Sequence, residues 1–273
     1  MRSLPELRAA RAEGCVAGVL GIEGGHAIEE SLDHLRAFHE RGLRVMTLVW
    51  NNSLSWIRSC RDDPGPEVPP GLNEFGRDVV RTMNELGIVV DLSHAHERSF
   101  YDVLEVCERP VIASHSGCKA LHAHARNLTD DQLRALRDNG GVIGIVFHPG
   151  FLCADAQAEE QRIRATDAYR SLADDNATKL YTQQQVLMQR EAAPLPIESV
   201  VAHVLHAIDV AGVEHVGIGS DYDGIERTPA GLEDSSTYGV LAQRLLDRGL
   251  SLTDLEKVLG GNMERVFGEV TGS

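Results

Sequence analysis

The residues best able to do chemistry in this sequence stand at the ends of short apolar runs: Glu23 in IEGGH, His94 in VDLSHAH, His115 in VIASHSG and Asp221 in IGSDYDG. Imidazole nitrogen combined with carboxylate oxygen is the donor mixture of hydrolytic zinc sites, which keep one coordination position open for water. Taken singly, each residue has a plainer reading, because a Glu or His after a strand commonly caps a loop or faces solvent. Taken together, metal-compatible types at four strand ends favour one shared site. His148, followed by Pro149, also ends an apolar run and reads as structural. Arg126, in HARNLTDDQL, carries a planar fork that could clamp a carboxylate with two N–H bonds. Its competing reading is a surface arginine paired with Asp130 or Asp131. His26, His96, His122 and His124 read as supporting or surface groups.

The elements that must position these residues alternate regularly. Apolar, β-rich runs occur at 15 to 24, 43 to 50, 87 to 94, 110 to 115, 141 to 148 and 215 to 221. Between them lie helix candidates at 29 to 41, 73 to 86, 97 to 107, 130 to 138 with Thr129 as N-cap, and 197 to 211. Near-continuous apolar strands with a helix after each one indicate a parallel sheet covered on its faces. Five of the six runs end in a residue of chemical type, a ring of which at strand C-termini is how a (β/α)8 TIM-type barrel builds its site. An open doubly wound sheet would confine its site to one switch point, and no GxGxxG or P-loop is present to occupy it. Residues 51 to 71 read as a long loop over the barrel mouth, and 154 to 192 as a helical insertion within a single domain spanning 1–273.

Composition narrows the partners. With 41 acidic against 26 basic residues, a formal charge of -15 repels nucleic acid and anionic membrane surfaces. The five cysteines, Cys15, Cys60, Cys107, Cys118 and Cys153, are widely spaced and never form a CxxC pair, which speaks against a disulfide framework or a thiolate zinc site and fits a cytoplasmic protein. Residues 1 to 13 hold no signal-peptide core, and no run approaches a membrane span.

The segments IEGGHAI, VDLSHAH, PVIASHSGCKALHAHARNLTDDQL, NGGVIGI and VGIGSDYDG, in this order and spacing, resemble the membrane (renal) dipeptidase family over about residues 15 to 268. The resemblance implies an amidohydrolase-type barrel with two zinc ions that hydrolyses dipeptides, often tolerating a D-residue at the C-terminal position. It implies that Glu23 bridges the metals and that His94 and His115 complete the ligands of the second. It also implies that Arg126 holds the substrate carboxylate and that Asp221 meets the substrate amine and the attacking water. Where the best-known members carry a His that polarises the scissile carbonyl, this chain has Trp50 followed by Asn51 and Asn52; the Asn51 amide is the candidate donor to a developing oxyanion.

The family's first strand ends in His-X-Asp, and none of the twelve histidines here is followed two places later by Asp. With only six strand candidates, the expectation is a barrel lacking its first one or two βα units and holding about one zinc rather than two. Six strands leave two sheet edges to be covered by a homodimer or another segment. The rival readings are a degenerate barrel that binds one metal or a partner without catalysis, and an amidohydrolase acting on a small acylated amine or lactone.

Overall fold

The computed structural model describes residues 1–272. Six strands form one parallel sheet in simple sequential order: β1 (Leu20–Glu23), β2 (Leu43–Thr47), β3 (Val89–Asp91), β4 (Ile112–Ser116), β5 (Val142–Ile145) and β6 (Val216–Ile218). Each lies inside one of the apolar runs, save that β4 runs one residue past its own to Ser116, and each is shorter than its run. The largest difference is at the start, where residues 15 to 19 are outside the sheet.

The helices follow as α1 (Leu4–Ala12), α2 (Leu32–Arg41), α3 (Glu74–Leu86), α4 (Glu97–Val106), α5 (Asp130–Asp138), α6 (Pro149–Leu152), α7 (Ala154–Arg164), α8 (Asp167–Arg170), α9 (Ala177–Glu191), α10 (Glu198–Ala211), α11 (Tyr238–Asp247), α12 (Leu252–Glu256) and α13 (Asn262–Thr271). Local chemistry sets several of these boundaries. The Ser31 hydroxyl accepts from His34 N and starts α2; the Asn73 side chain accepts from Gly76 N and starts α3. Val79, Val80 and Met83 then give α3 a fully buried stripe, each side chain contributing roughly 1.5 to 3 kcal/mol of apolar burial.

The chain divides into two compact units: Met1–Ser114 with Asp131–Ile143 and Gly260–Ser273, and His115–Asp130 with Gly144–Leu259. Of the four points at which the chain passes between units, two fall within strands, after Ser114 in β4 and after Ile143 in β5. In the first unit a core of Leu4 on α1, Val89 on β3, Ile112 on β4, Val142 on β5, and Val266, Phe267 and Val270 on α13 is packed with Leu7, Val19, Val45 and Met263. Its ladder places Glu23 opposite Thr47 and Thr47 opposite Asp91, so β1, β2 and β3 end in step, while Asp91 lies opposite Ile112, the first residue of β4.

In the second unit the sheet continues through Val146 N to Ser116 O at 3.0 Å and Gly219 N to Ile145 O at 3.0 Å. The 154 to 192 stretch is helical, formed by α7, α8 and α9. A buried ion pair, Arg227 Nε to Glu160 Oε1 at 3.0 Å, joins α7 to the segment after β6. None of the five cysteines is in a disulfide. Among the described residues no helix is long and apolar enough to cross a membrane.

Candidate metal centre

The ladder explains why Glu23 and His94 meet. Glu23 is the last residue of β1, and the pairing continues beyond it, with Gly24 N donating to Thr47 O and Gly25 N to Leu48 O, both at 3.0 Å. His94 stands three residues past the end of β3, in a turn that returns its side chain over the strand end. Its Nε2 lies 3.1 Å from Glu23 Oε1. The imidazole is buried while the Glu23 carboxylate is 47% exposed, so the pair has one open side.

His115 is one residue beyond the first unit. It belongs to the continuous strand β4, whose pairing with β3 fixes its place three residues beyond Ile112. One ligand atom from each of Glu23, His94 and His115 lies within 4.8 Å of the other two. Ligands at zinc-bond lengths of 2.0 to 2.2 Å in a tetrahedral arrangement are about 3.5 Å apart, so modest side-chain rotation would let all three reach one ion. Two nitrogens and one carboxylate oxygen, with a solvent-facing side, fit a catalytic type of divalent-metal site. Asp221 is not one of the three.

Beneath this group lies a polar knot that the sequence reading missed. Asp91, almost completely buried, accepts from Ser93 N (3.0 Å) and Ser114 N (2.8 Å) through Oδ1, and from Thr47 Oγ1 (2.5 Å) and Ser114 Oγ (2.6 Å) through Oδ2. A carboxylate inside an apolar strand is costly unless its lone pairs are filled, and here four donors fill them. The signal was available: Asp91 interrupts the otherwise apolar GIVVDL run.

Asn51, expected as an oxyanion donor, lies with Oδ1 3.1 Å from His94 Nδ1. Trp50 is half-exposed, its ring centroid 6.3 Å from that of His94. Outside the group of three, His26 Nε2 is 2.9 Å from the Asn52 amide nitrogen, and His96 caps α4 by accepting from Arg98 N.

In the second unit Arg126 is 3% exposed, which removes the surface-arginine reading. Its Nη2 donates to the carbonyl of His115 at 3.3 Å, and its guanidinium carbon sits 5.4 Å from the centroid of Phe151. His124 and His148 both stack on the same Phe151 ring, at 4.3 and 4.4 Å. His148 also caps α6 by accepting from Gly150 N, in line with the structural role read from its sequence. Burial, together with the nearby cations Arg164, His124, Arg227 and Arg126, pushes its pKa down to about 3, so the ring is neutral. Asp221 follows β6 in a left-handed conformation, φ 63°, and its carbonyl accepts from Gly224 N.

The model of the membrane dipeptidase family, peptidase family M19, matches residues 1–272. Dipeptidase aclJ of Aspergillus oryzae is 37% identical over 260 residues, covering 94% of this chain and 52% of that protein. The uncharacterized dipeptidase C3A11.10c of Schizosaccharomyces pombe is 35% identical over 253 residues, covering 92% and 53%. The chain thus spans about half the length of the curated relatives it matches. Among solved structures, a metallo peptidase from Rhodobacter sphaeroides, liganded with a phosphinate mimic of the dipeptide L-Ala-D-Ala, superposes with a TM-score of 0.80 at 31% identity over 99% of this chain and 68% of its own. The probable dipeptidase PvdM from Pseudomonas aeruginosa superposes with a TM-score of 0.83 at 26% identity, covering 99% and 73%. With the family model matching residues 1–272 and the fold shared with these structures, the chain belongs to the membrane dipeptidase family, peptidase family M19.

Proposed function

We propose that this chain carries the metal centre of a dipeptidase that hydrolyses the single peptide bond of a dipeptide. The observation that carries the reading is the convergence of Glu23, His94 and His115 in a member of this family. The sequential parallel order of six strands, with the group at their C-terminal ends, also fits six consecutive units of a (β/α)8 barrel.

Glu23, His94 and His115 would hold the ion, for which zinc is the proposed identity. When bound, it would supply Lewis acidity that polarises the scissile carbonyl and makes water a competent nucleophile near neutral pH. The chain's residues do the rest. Glu23 Oε1 and Oε2 provide negative charge at the open side of the site. The Arg126 guanidinium fixes the C-terminal carboxylate of the substrate, which limits the substrate to very short peptides, and a carboxylate oxygen of Asp221 carries a proton to the leaving amine. The dipeptide mimic bound by the Rhodobacter sphaeroides relative supports the substrate class.

A second reading, binding of one metal without turnover, is favoured by the ligand inventory: no histidine of this sequence is followed two places later by aspartate. One experiment separates the two. Purified protein with added zinc is assayed against a panel of L-L and L-D dipeptides beside Glu23→Gln, with zinc per chain measured on the same samples. Turnover by the wild type that falls at least about a hundredfold in Glu23→Gln supports the dipeptidase. Bound zinc with no turnover selects the second reading, and no bound zinc rejects both.

A further inference from the structure

The geometry assigns to Asn51, and to the loop it opens, the positioning of His94; this inference rests on the metal-site reading above. His94 has φ 70°, a left-handed conformation uncommon outside glycine, which the surrounding contacts hold in place. Those contacts come from the loop after β2. Cys60 N donates to His94 O at 2.8 Å, and His96 N donates to Arg58 O at 3.1 Å, so the peptide groups on either side of the turn are held by one segment. Ser59, fully buried, bridges with Ala95, and its hydroxyl donates to Trp50 O at 2.6 Å.

The loop is itself braced. Asp62 accepts from Ser53 N at 2.7 Å and from Ser53 Oγ at 2.6 Å, and Ser53 Oγ in turn accepts from Ser59 N at 2.9 Å. From this platform Asn51 Oδ1 reaches His94 Nδ1 at 3.1 Å, while His94 Nε2 faces Glu23 Oε1 at the same distance. With Nε2 as the ligand atom, Nδ1 carries the proton and Asn51 Oδ1 accepts it. That bond fixes both the tautomer and the rotation of the ring, so that the Nε2 lone pair is aimed at the ion before the ion arrives. Asn51 is therefore a positioning residue, and an oxyanion role is not needed to explain its place.

The test uses metal affinity rather than turnover. Zinc dissociation constants are measured at one fixed pH by competition with a chromophoric chelator for the full chain and for Asn51→Ala, Asn51→Asp and His94→Ala. Near-ultraviolet circular dichroism of the metal-free proteins monitors the fold. His94→Ala should lose tight zinc binding. Asn51→Ala should bind zinc about 10- to 100-fold more weakly, and Asn51→Asp, whose carboxylate accepts the same N–H, should return to within a few-fold of wild type or better. The cobalt-substituted Asn51→Ala protein should show an altered visible spectrum, a change that a remote packing defect would not produce. Wild-type affinity in Asn51→Ala overturns the assignment. So does a folded Asn51→Asp protein binding less than a tenth as tightly as wild type, even if the alanine variant does not fold. If the wild type binds no zinc, or His94→Ala binds it equally well, the metal-site reading fails and the assignment of Asn51 with it.

Discussion

Replacing Asp91 separates what a buried hydrogen-bond hub contributes through its shape from what it contributes through its charge. Its Oδ1 serves two backbone amides, Ser93 N and Ser114 N, whereas its Oδ2 serves two hydroxyls, Thr47 Oγ1 and Ser114 Oγ. Asp91→Ala strands both amides, and each buried donor left unsatisfied costs roughly 1 to 3 kcal/mol, while the hydroxyls can turn to other acceptors. The expected loss is about 4 kcal/mol. Asp91→Asn keeps an oxygen for the amides and turns its NH2 towards the hydroxyl oxygens, forfeiting only the charge assistance, for a loss of about 1 to 2 kcal/mol. Urea unfolding curves measure the difference directly: with an m-value of about 3 kcal/mol/M, the two variants should differ by nearly 1 M in midpoint. Amide hydrogen exchange at Ser93 and Ser114 should accelerate much more in the alanine variant. Equal losses in the two variants, or less than about 1 kcal/mol for Asp91→Ala, would refute the reasoning.

Three further outcomes are expected. A Cβ at Gly25 would lie 2.6 Å from both Leu48 O and Trp56 Cζ2, so Gly25→Ala should destabilise the protein by about 1 to 3 kcal/mol and weaken zinc binding by displacing nearby Glu23; unchanged thermal stability would contradict this. His148 and His203 are held neutral by burial, at pKa values of about 3 and about 4, and each accepts a backbone N–H on Nδ1, from Gly150 and Cys118 respectively. Because the folded values lie below the unfolded 6.5, their contribution is fully present above about pH 6.5 and is lost as pH falls towards 4 and then 3. Around pH 5 each should add a slope approaching about 1.4 kcal/mol per pH unit, that of His203 falling to about half by pH 4, and His148→Asn, which can still cap α6, should remove one such slope from a stability-versus-pH series. Breaking the buried Glu160–Arg227 pair by Glu160→Gln should cost a few kcal/mol, about 3 to 5 if the guanidinium stays buried, whereas Arg162→Ala on the exposed side of α7 should change stability by under about 0.5 kcal/mol in the same denaturation assay.

Much of the fold was legible because its signals are local. Continuous apolar runs such as GVIGIVF at 141 to 147 suit a sheet covered on both faces, and Ser31 and Asn73 mark their helix starts by chemistry that acts within one turn. The strands came out shorter than their runs because an apolar run records burial, and burial continues past the last ladder hydrogen bond: Leu48, Val49, Leu92, Val146 and Phe147 are buried beyond their strands. Of the candidate site, Glu23, His94 and His115 were legible as donor types at strand ends, since strand ends in a parallel sheet all face the same way.

What the residue types could not convey is which lone pair meets which proton. In sequence Arg126 reads as a carboxylate clamp or as a surface arginine paired with Asp130 or Asp131; burial against Phe151 and the carbonyl of His115 excludes the surface reading. Asn51 and Ser59 are ordinary loop residues until the chain folds back 35 residues or more to meet His94. Asp91 likewise becomes intelligible only when three strands bring it four donors. The sequence by itself determined the parallel α/β architecture and the donor types at the strand ends, because periodicity and donor chemistry are properties of the residues. Only the tertiary structure decided the orientation of those side chains, because hydrogen bonds are directional over about 3 Å and their partners are set by register and loop return.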